Sequence, residues 1–154
     1  GDIMQNITDC ILELVKNSIE ADSTFIKITV FQRDACRLIM QVEDNGCGMT
    51  LQDCQNCENP FYSTKGKEIG MGIPLVKELA VRTGGDFAVE SRGKGATVSA
   101  LFKPYSINMI PIGDLYSATL SLIKSYSDIR FVLCQKTGSR NITIDSGFLK
   151  PQVD

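Results

Sequence analysis

Three stretches of the chain have the apolar spacing of an amphipathic α-helix. Residues 7–21 show it most clearly, because apolar side chains recur every three or four positions and Asp9 lies early, where its charge suits the helix dipole. Residues 73–85 repeat the pattern, with a proline in the first turn and two glycines at the end. Residues 113–126 also look helical, with Asp114 near the start.

Alternating apolar and polar residues predict strands that pair as hairpins. The pairs are residues 25–31 with 36–43, residues 86–91 with 96–103 across the turn 92–95, and the two arms of residues 130–145, which turn at residues 137–139. Hairpins with helices between them predict an α+β fold, a two-layer α/β sandwich.

The remaining segments predict connections and one boundary. Thr50 followed by Asp53 resembles a capping box and predicts a short helix, whereas residues 58–72 lose periodicity and predict a mobile loop. Pro104 marks a plausible boundary. We therefore expect one domain in residues 1–103 and, in residues 104–154, an extension of one helix and one hairpin packed on it.

Composition narrows the class of protein. The chain has 154 residues, enough for one domain. Its net charge is −2, so the composition lacks the excess of basic residues that is typical of nucleic-acid-binding proteins. No apolar run reaches the roughly 18 residues of a membrane helix, and the start does not resemble a signal peptide. Six cysteines without an export signal predict reduced thiols in a cytoplasmic protein. Histidine is absent, so histidine chemistry is excluded from this chain.

Glu13 and Asn17 are the first candidate site residues. They lie four positions apart on one helix face. An asparagine oxygen suits Mg²⁺, and a carboxylate one turn away can polarise a water or hydroxyl for attack on a phosphate. In isolation, a solvated helix face is the better interpretation of this pair.

The segment "DNGCGM", residues 44–49, follows the second strand. Asp44 can accept a hydrogen bond from an exocyclic amine such as that of adenine. Gly46 and Gly48 let the backbone approach a flat ligand, and Met49 offers an adaptable apolar wall. The alternative is a simple Asn-Gly turn between a strand and a helix.

Two further glycine-rich segments suit phosphates. Gly70, Met71 and Gly72 open the second helix, whose free N–H groups can face an anion. The loop before them carries Thr64 and Lys65, which suit a lid over phosphates. Residues 93–98, "GKGATV", bring a hairpin strand close to a ligand and offer the hydroxyl of Thr97.

As an ordered set, these motifs resemble the Bergerat-fold ATPases, the superfamily of gyrase, the heat-shock chaperone, histidine kinases and mismatch-repair proteins. "ELVKNSIEA" resembles the N box, and "DNGCGM", "IGMGIPLVKEL" and "GKGATV" resemble the three glycine boxes. "NPFYSTK" is similar to the phenylalanine-containing box before the lid of histidine kinases. Together with the "PIGDL" stretch at residues 111–115, the layout looks most like small stand-alone bacterial histidine-kinase-like ATP-binding proteins.

The resemblance implies a mixed, mostly antiparallel sheet with helices on one face, and it implies ATP or ADP with Mg²⁺ as ligands. Asn17 would hold Mg²⁺, Asp44 would read the adenine amine, and Glu13 would be the base. The other expected pocket residues are Ala21, Gly46, Gly48, Met49, Thr64, Lys65, Gly70, Met71, Gly72 and Thr97. The family often has threonine where Ala96 stands, one position before Thr97.

Three functions remain open at this point. The first is a Mg²⁺-dependent domain that slowly hydrolyses ATP or phosphorylates serine or threonine on another protein, without histidine autophosphorylation. The second is a non-catalytic, nucleotide-gated adapter that binds a partner protein through residues 104–154. The third is a thiol or zinc protein based on Cys54 and Cys57, which form a C-x-x-C motif. A structural zinc site needs four ligands, and the sequence has neither a second C-x-x-C nor a histidine to complete one.

Overall fold

The structure is a computed structural model that describes residues 4–48 and 72–148. Its helices are α1 (Ile7–Glu20), α2 (Gly72–Arg82) and α3 (Leu115–Ser125). Its strands are β1 (Phe25–Asp34), β2 (Arg37–Asp44), β3 (Asp86–Arg92), β4 (Lys94–Phe102), β5 (Arg130–Thr137) and β6 (Arg140–Asp145). A short 3₁₀ turn, Ser146–Phe148, follows β6. The short helix and the loop expected in residues 50–71 lie outside the described residues.

The strands form one sheet in the order β3-β4-β2-β1-β5-β6. All three expected hairpins are present, and β2 also pairs antiparallel with β4. Strand β5 runs parallel to β1. Parallel strands need a crossover connection, and the segment that contains α3 returns the chain to the edge of the sheet at which β1 begins. The prediction of a mixed, mostly antiparallel sheet is confirmed.

The core lies between one face of this sheet and the helices. Helix α1 contacts β1 and β2, α2 contacts β3 and β4, and α3 contacts β5. Alternate strand residues point into this layer and are fully buried, and Ile28, Met40 and Phe102 are examples. The α+β two-layer fold with helices on one face is therefore confirmed. Each helix of the described segments is too short or too polar to cross a bilayer.

The β3–β4 hairpin is tighter than the sequence pattern predicted. The expected turn of residues 92–95 shrinks to Gly93, and Lys94 and Gly95 already belong to β4. Gly93 and Gly95 have φ angles of 84° and 77°, a backbone conformation that glycine adopts without strain. A register shift between Glu90 and Arg92 accompanies this close turn.

Helix α1 is fixed at its start by Asn6 and by the backbone of Pro111 and Ile112. The side chain of Asn6 accepts a hydrogen bond from the Asp9 N–H at 2.8 Å, as an N-cap residue does. The Ile7 N–H donates to the Pro111 carbonyl, and the Thr8 N–H donates to the Ile112 carbonyl, both at 2.9 Å. The "PIGDL" stretch therefore supplies acceptors for N–H groups that the first turn of a helix cannot pair internally.

Candidate nucleotide site

A cavity opens between α1, the carboxyl end of β2 and the beginning of β4. Its volume is about 480 Å³, including the part that is open to solvent. The start of α2 forms another wall. The lining residues are Leu14, Asn17, Ser18, Ala21, Asp44, Gly48, Ile73, Ala96 and Val98. Most of this surface is apolar, and the polar groups converge from α1 and from the end of β2, as expected of a small-molecule site.

Asp44 is held by two hydrogen-bond donors at the wall of this cavity. The Ser18 hydroxyl donates to Oδ2 at 2.6 Å, and the Gly46 N–H donates to Oδ1 at 2.9 Å. Each carboxylate oxygen has two lone pairs, so each can accept one further bond from a ligand. A side chain fixed in this way presents an oriented, acceptor-only edge to the cavity.

Ser18 is the polar lining residue that the sequence analysis missed, and the apolar lining residues Leu14, Ile73, Ala96 and Val98 were also not among the expected site residues. Ser18 is 4% exposed and lies on the buried stripe of α1, seven positions after Ile11. A polar residue on an apolar helical stripe needs a hydrogen-bond partner, which was the available signal. The sequence alone did not identify that partner as Asp44, because the two residues are 26 positions apart.

The turn after Asp44 is tied to the end of α1. The Asn45 side-chain oxygen accepts from the Thr24 and Phe25 N–H groups at 2.8 and 2.9 Å. The Cys47 N–H donates to the Ala21 carbonyl at 2.9 Å. A Cβ atom on Gly46 would lie 2.7 Å from the Ala21 carbonyl oxygen, so this close approach requires glycine.

The same turn also contacts the β3–β4 hairpin. The Gly95 N–H donates to the Gly46 carbonyl at 2.8 Å. Gly48 has a φ of 77°, and a Cβ atom there would collide with the Gly93 carbonyl oxygen. The structure therefore brings together the first and third glycine-rich segments, which are about fifty residues apart in the chain.

Helix α2 begins beside Glu13. A Cβ atom on Gly72 would lie 3.1 Å from Cβ of Glu13 and 3.4 Å from its Oε2, so the first residue of α2 packs against this side chain. Glu13 is half-buried. The arrangement places a carboxylate next to a helix N-terminus, where the helix dipole favours a bound anion.

The side-chain amide of Asn17 is compatible with the role of a Mg²⁺ ligand, because its buried Nδ2 atom has no hydrogen-bond partner among the described residues. Because no hydrogen bond fixes the amide, a flip about its last torsion brings the oxygen to the same position, and oxygen is the ligand that Mg²⁺ prefers. Half-buried Asn17 lines the cavity one helical turn from Glu13.

Thr97 is not among the residues that line this cavity. In the register of β2 and β4, Ala96 lies opposite Asp44, and Thr97 lies opposite Glu43. Opposed residues share a face of the sheet and neighbouring residues do not, so Thr97 points to the other face. Ala96 contributes to the cavity in its place.

The other expected site residues divide into two groups. Ala21 and Gly48 line the cavity, and Gly46 and Gly72 shape its edges. Met49, Thr64, Lys65, Gly70 and Met71 lie outside the described residues, and so do Cys54 and Cys57. Within residues 4–48 and 72–148, no group of three cysteine or carboxylate side chains is placed to hold a metal ion.

Comparison with known proteins agrees with this geometry. The chain is 32% identical over 87 residues to sporulation kinase C of Bacillus subtilis, an alignment that covers 55% of this chain and 20% of the kinase. It is 36% identical over 69 residues to the DNA mismatch repair protein MutL of Chlorobaculum tepidum, covering 45% of this chain and 11% of MutL. The chain therefore spans a fifth or less of the length of these curated relatives.

Solved structures show the same fold at lower sequence identity. The ATPase domain of Aquifex aeolicus MutL complexed with ADP has a TM-score of 0.56 and 14% identity, with 94% of this chain and 65% of that chain covered. The N-terminal domain of a DNA repair protein has a TM-score of 0.58 and 19% identity, with 92% of this chain and 52% of that chain covered.

A family model matches two thirds of the chain. It is the model of the histidine kinase-, DNA gyrase B- and HSP90-like ATPases, and it aligns with residues 4–106. The matched range contains α1, the end of β2, α2 and the β3–β4 hairpin, and so all the elements that form the cavity. The chain belongs to the histidine kinase-, DNA gyrase B- and HSP90-like ATPase family, as an ATP-binding domain of that family.

Proposed function

We propose that this chain is a Mg²⁺-dependent ATP-binding domain that slowly hydrolyses ATP or transfers its γ-phosphate to serine or threonine of a partner protein. The observation that carries the proposal is the Asp44 carboxylate, fixed by Ser18 and Gly46 at the wall of the cavity. An acceptor-only edge beside an apolar pocket suits a flat ring that bears an amine, and adenine is such a ring.

The apolar walls support a bound purine. Leu14, Ile73 and Val98 line the cavity from α1, α2 and β4. A ring between them loses contact with water on both faces, while its amine keeps a hydrogen-bond partner in Asp44. The affinity and the orientation of the nucleotide then come from different residues.

The phosphates would extend toward the start of α2. There the N–H groups of the first turn and the helix dipole favour negative charge. Glu13 lies against Gly72 at this position, where its carboxylate would accept a proton from the attacking water or hydroxyl. When bound, Mg²⁺ held by Asn17 and the phosphates would neutralise part of the charge that develops during phosphoryl transfer.

The nature of the phosphate acceptor follows partly from composition. The chain contains no histidine, so it holds no histidine to which it could transfer phosphate. A water molecule or a hydroxyl group would need the base that Glu13 supplies. This is why hydrolysis or transfer to serine or threonine is proposed.

Turnover of Mg-ATP tests the catalytic part. Glu13→Gln removes the base and keeps the size of the side chain, so we expect the rate to fall by about 10²-fold or more. Glu20→Gln is the matched control, because Glu20 is an exposed carboxylate on the same helix. Equal background rates for both variants and the unmodified chain would contradict catalysis.

Thermal unfolding with Mg-ADP tests binding separately. At a hundred times its Kd, a ligand adds about 2.7 kcal/mol of stability. A shift with ADP but no turnover would favour the second candidate function, a non-catalytic adapter that uses residues 104–154. That candidate is supported by exposed apolar side chains on this extension, namely Tyr105, Ile107, Tyr116 and Leu120.

A further inference from the structure

The face of the sheet away from the helices carries an apolar row near its distal end, where β1 turns into β2. Phe31 lies opposite Ile39 in the β1–β2 register, and Ile39 lies opposite Leu101 in the β2–β4 register. On the other side, Phe31 pairs with Lys136 of β5. These four residues therefore form one continuous cross-strand row on the same face.

Two of these apolar side chains are exposed to solvent. Phe31 is 39% exposed and Ile39 is 37% exposed, and no helix of the described segments covers this face. They line a cavity of about 790 Å³, including the part open to solvent, at the tip of the hairpin. The other lining residues are Arg33, Asp34, Cys36 and Arg37.

The charge around the cavity is mostly positive and mostly unpaired. Arg33, Arg37 and Lys136 are exposed, and within residues 4–48 and 72–148 none of them makes an ion pair. Among the described residues that line the cavity, Asp34 is the one acid, and its Oδ1 accepts a hydrogen bond from the Cys36 N–H at 2.8 Å. This basic cluster lies on a chain whose net charge is −2.

We propose that this surface, formed by Phe31, Arg33, Arg37, Ile39 and Lys136, binds an acidic segment of a partner protein that carries a large apolar side chain. The apolar side chain would fill the space beside Phe31 and Ile39. The carboxylates would pair with the arginine guanidinium groups, whose planar donors match a carboxylate in bidentate geometry.

A protein segment fits this surface better than a membrane does. Recognition of anionic lipid by charge usually needs clusters of four to eight basic residues. This surface has three among the described residues, Arg33, Arg37 and Lys136, and Asp34 lies beside the two arginines. Arginine next to an aromatic side chain in a pocket is instead typical of the centre of protein interfaces.

This surface is separate from the nucleotide cavity. Arg37 begins β2 and Asp44 ends it, so the two sites are roughly 23 Å apart along the strand. The inference therefore goes beyond the proposed function and does not depend on it.

Selection of peptides tests the proposal with a defined probe. A pool of random ten-residue peptides is passed over the immobilised chain, and the retained peptides are sequenced. We expect them to be enriched in Asp and Glu together with Phe, Leu or Ile. The best of them should bind Arg33→Glu/Arg37→Glu, and separately Phe31→Ala, about tenfold or more weakly than the unmodified chain.

The control variant is Lys16→Glu/Lys124→Glu, which makes the same change of net charge at two exposed positions on α1 and α3. It should bind the peptides normally. Thermal unfolding shows whether each variant is folded, and Phe31→Ala tests the surface without any change of charge.

Several results would overturn the proposal. They are retention of no peptide, retained peptides without acidic enrichment, and equal binding by the double variant. Phosphatidylserine vesicles that bind the chain but not the double variant would assign the surface to anionic lipid instead. A dimer seen by light scattering and lost in the double variant would assign it to a second copy of this chain.

Discussion

Replacing Ser18 by alanine separates two roles of the Asp44 carboxylate, which are its contribution to the stability of the fold and its proposed contact with the nucleotide. The Ser18 hydroxyl donates to Oδ2 at 2.6 Å, and the Gly46 N–H donates to Oδ1 at 2.9 Å. Without the hydroxyl, one oxygen loses its donor, and the carboxylate regains rotation about its last torsion. The substitution should therefore affect both the stability of the fold and the orientation of the carboxylate that we propose contacts the nucleotide.

The two effects differ in size. A hydrogen bond to a charged acceptor contributes about 1.5–3 kcal/mol, and this bond exists before any nucleotide binds, so the free energy of unfolding should fall by about that amount. Binding must then fix one side chain again, which costs about 0.5–1.5 kcal/mol. The Kd for Mg-ADP should consequently rise about 2- to 13-fold.

Titration calorimetry with Mg-ADP and denaturant unfolding measure the two quantities on the same samples. Thr8→Ala is the matched control, because Thr8 is also a buried hydroxyl on α1. Its Oγ1 donates to the Ile112 carbonyl at 2.7 Å, away from the cavity. The control should lose about 0.5–1.5 kcal/mol of stability and keep its affinity.

The reasoning is wrong if Ser18→Ala binds Mg-ADP as tightly as the unmodified chain, because Asp44 would then not need its second donor. It is also wrong if Thr8→Ala loses as much affinity as Ser18→Ala. In that case the loss would follow from general destabilisation of α1 and not from the orientation of Asp44.

Three further predictions concern single residues. Asp44→Asn should weaken ADP about 10- to 150-fold and IDP much less, because IDP has a carbonyl oxygen where ADP has the amine; an unchanged ADP-to-IDP ratio in calorimetry would argue against the adenine contact. Gly48→Ala should lower the free energy of unfolding more than Gly138→Ala, since both glycines have positive φ but only Gly48 has a backbone carbonyl against its Cβ position. Burial raises the pKa of the Cys10 thiol to about 12, so iodoacetamide near pH 8 should leave Cys10 unmodified in mass spectrometry while it alkylates exposed Cys36.

Local patterns carried most of the fold, because each hairpin and helix is recognisable from a short window. The periodicity of residues 7–21 and the alternation of residues 25–31 give α1 and β1 to within a few residues. The parallel pairing of β5 with β1 was not predicted, because it joins segments about a hundred residues apart and depends on how α3 packs. Pairing at that distance leaves no mark in a local pattern.

The candidate site also contains residues that local motifs predict and residues whose role depends on tertiary packing. Asp44 and Asn17 were predicted because motifs mark them, and both line the cavity. Ser18 was missed because its partner is decided by tertiary packing. Thr97 was expected in the pocket because its hydroxyl lies one position after the place where the family often has threonine. The register of β4 directs its side chain to the other face of the sheet. A shift of one residue in a strand reverses every side chain, so motif spacing alone is weakest on strands.

The chain after Phe102 is part of what holds the site in place. Pro111 and Ile112 accept hydrogen bonds from the first N–H groups of α1, the helix that carries Glu13 and Asn17. At the other end of α1, the Arg130 N–H donates to the Thr24 carbonyl, next to the backbone that Asn45 holds beside Asp44. Both ends of the helix are therefore positioned in part by this extension.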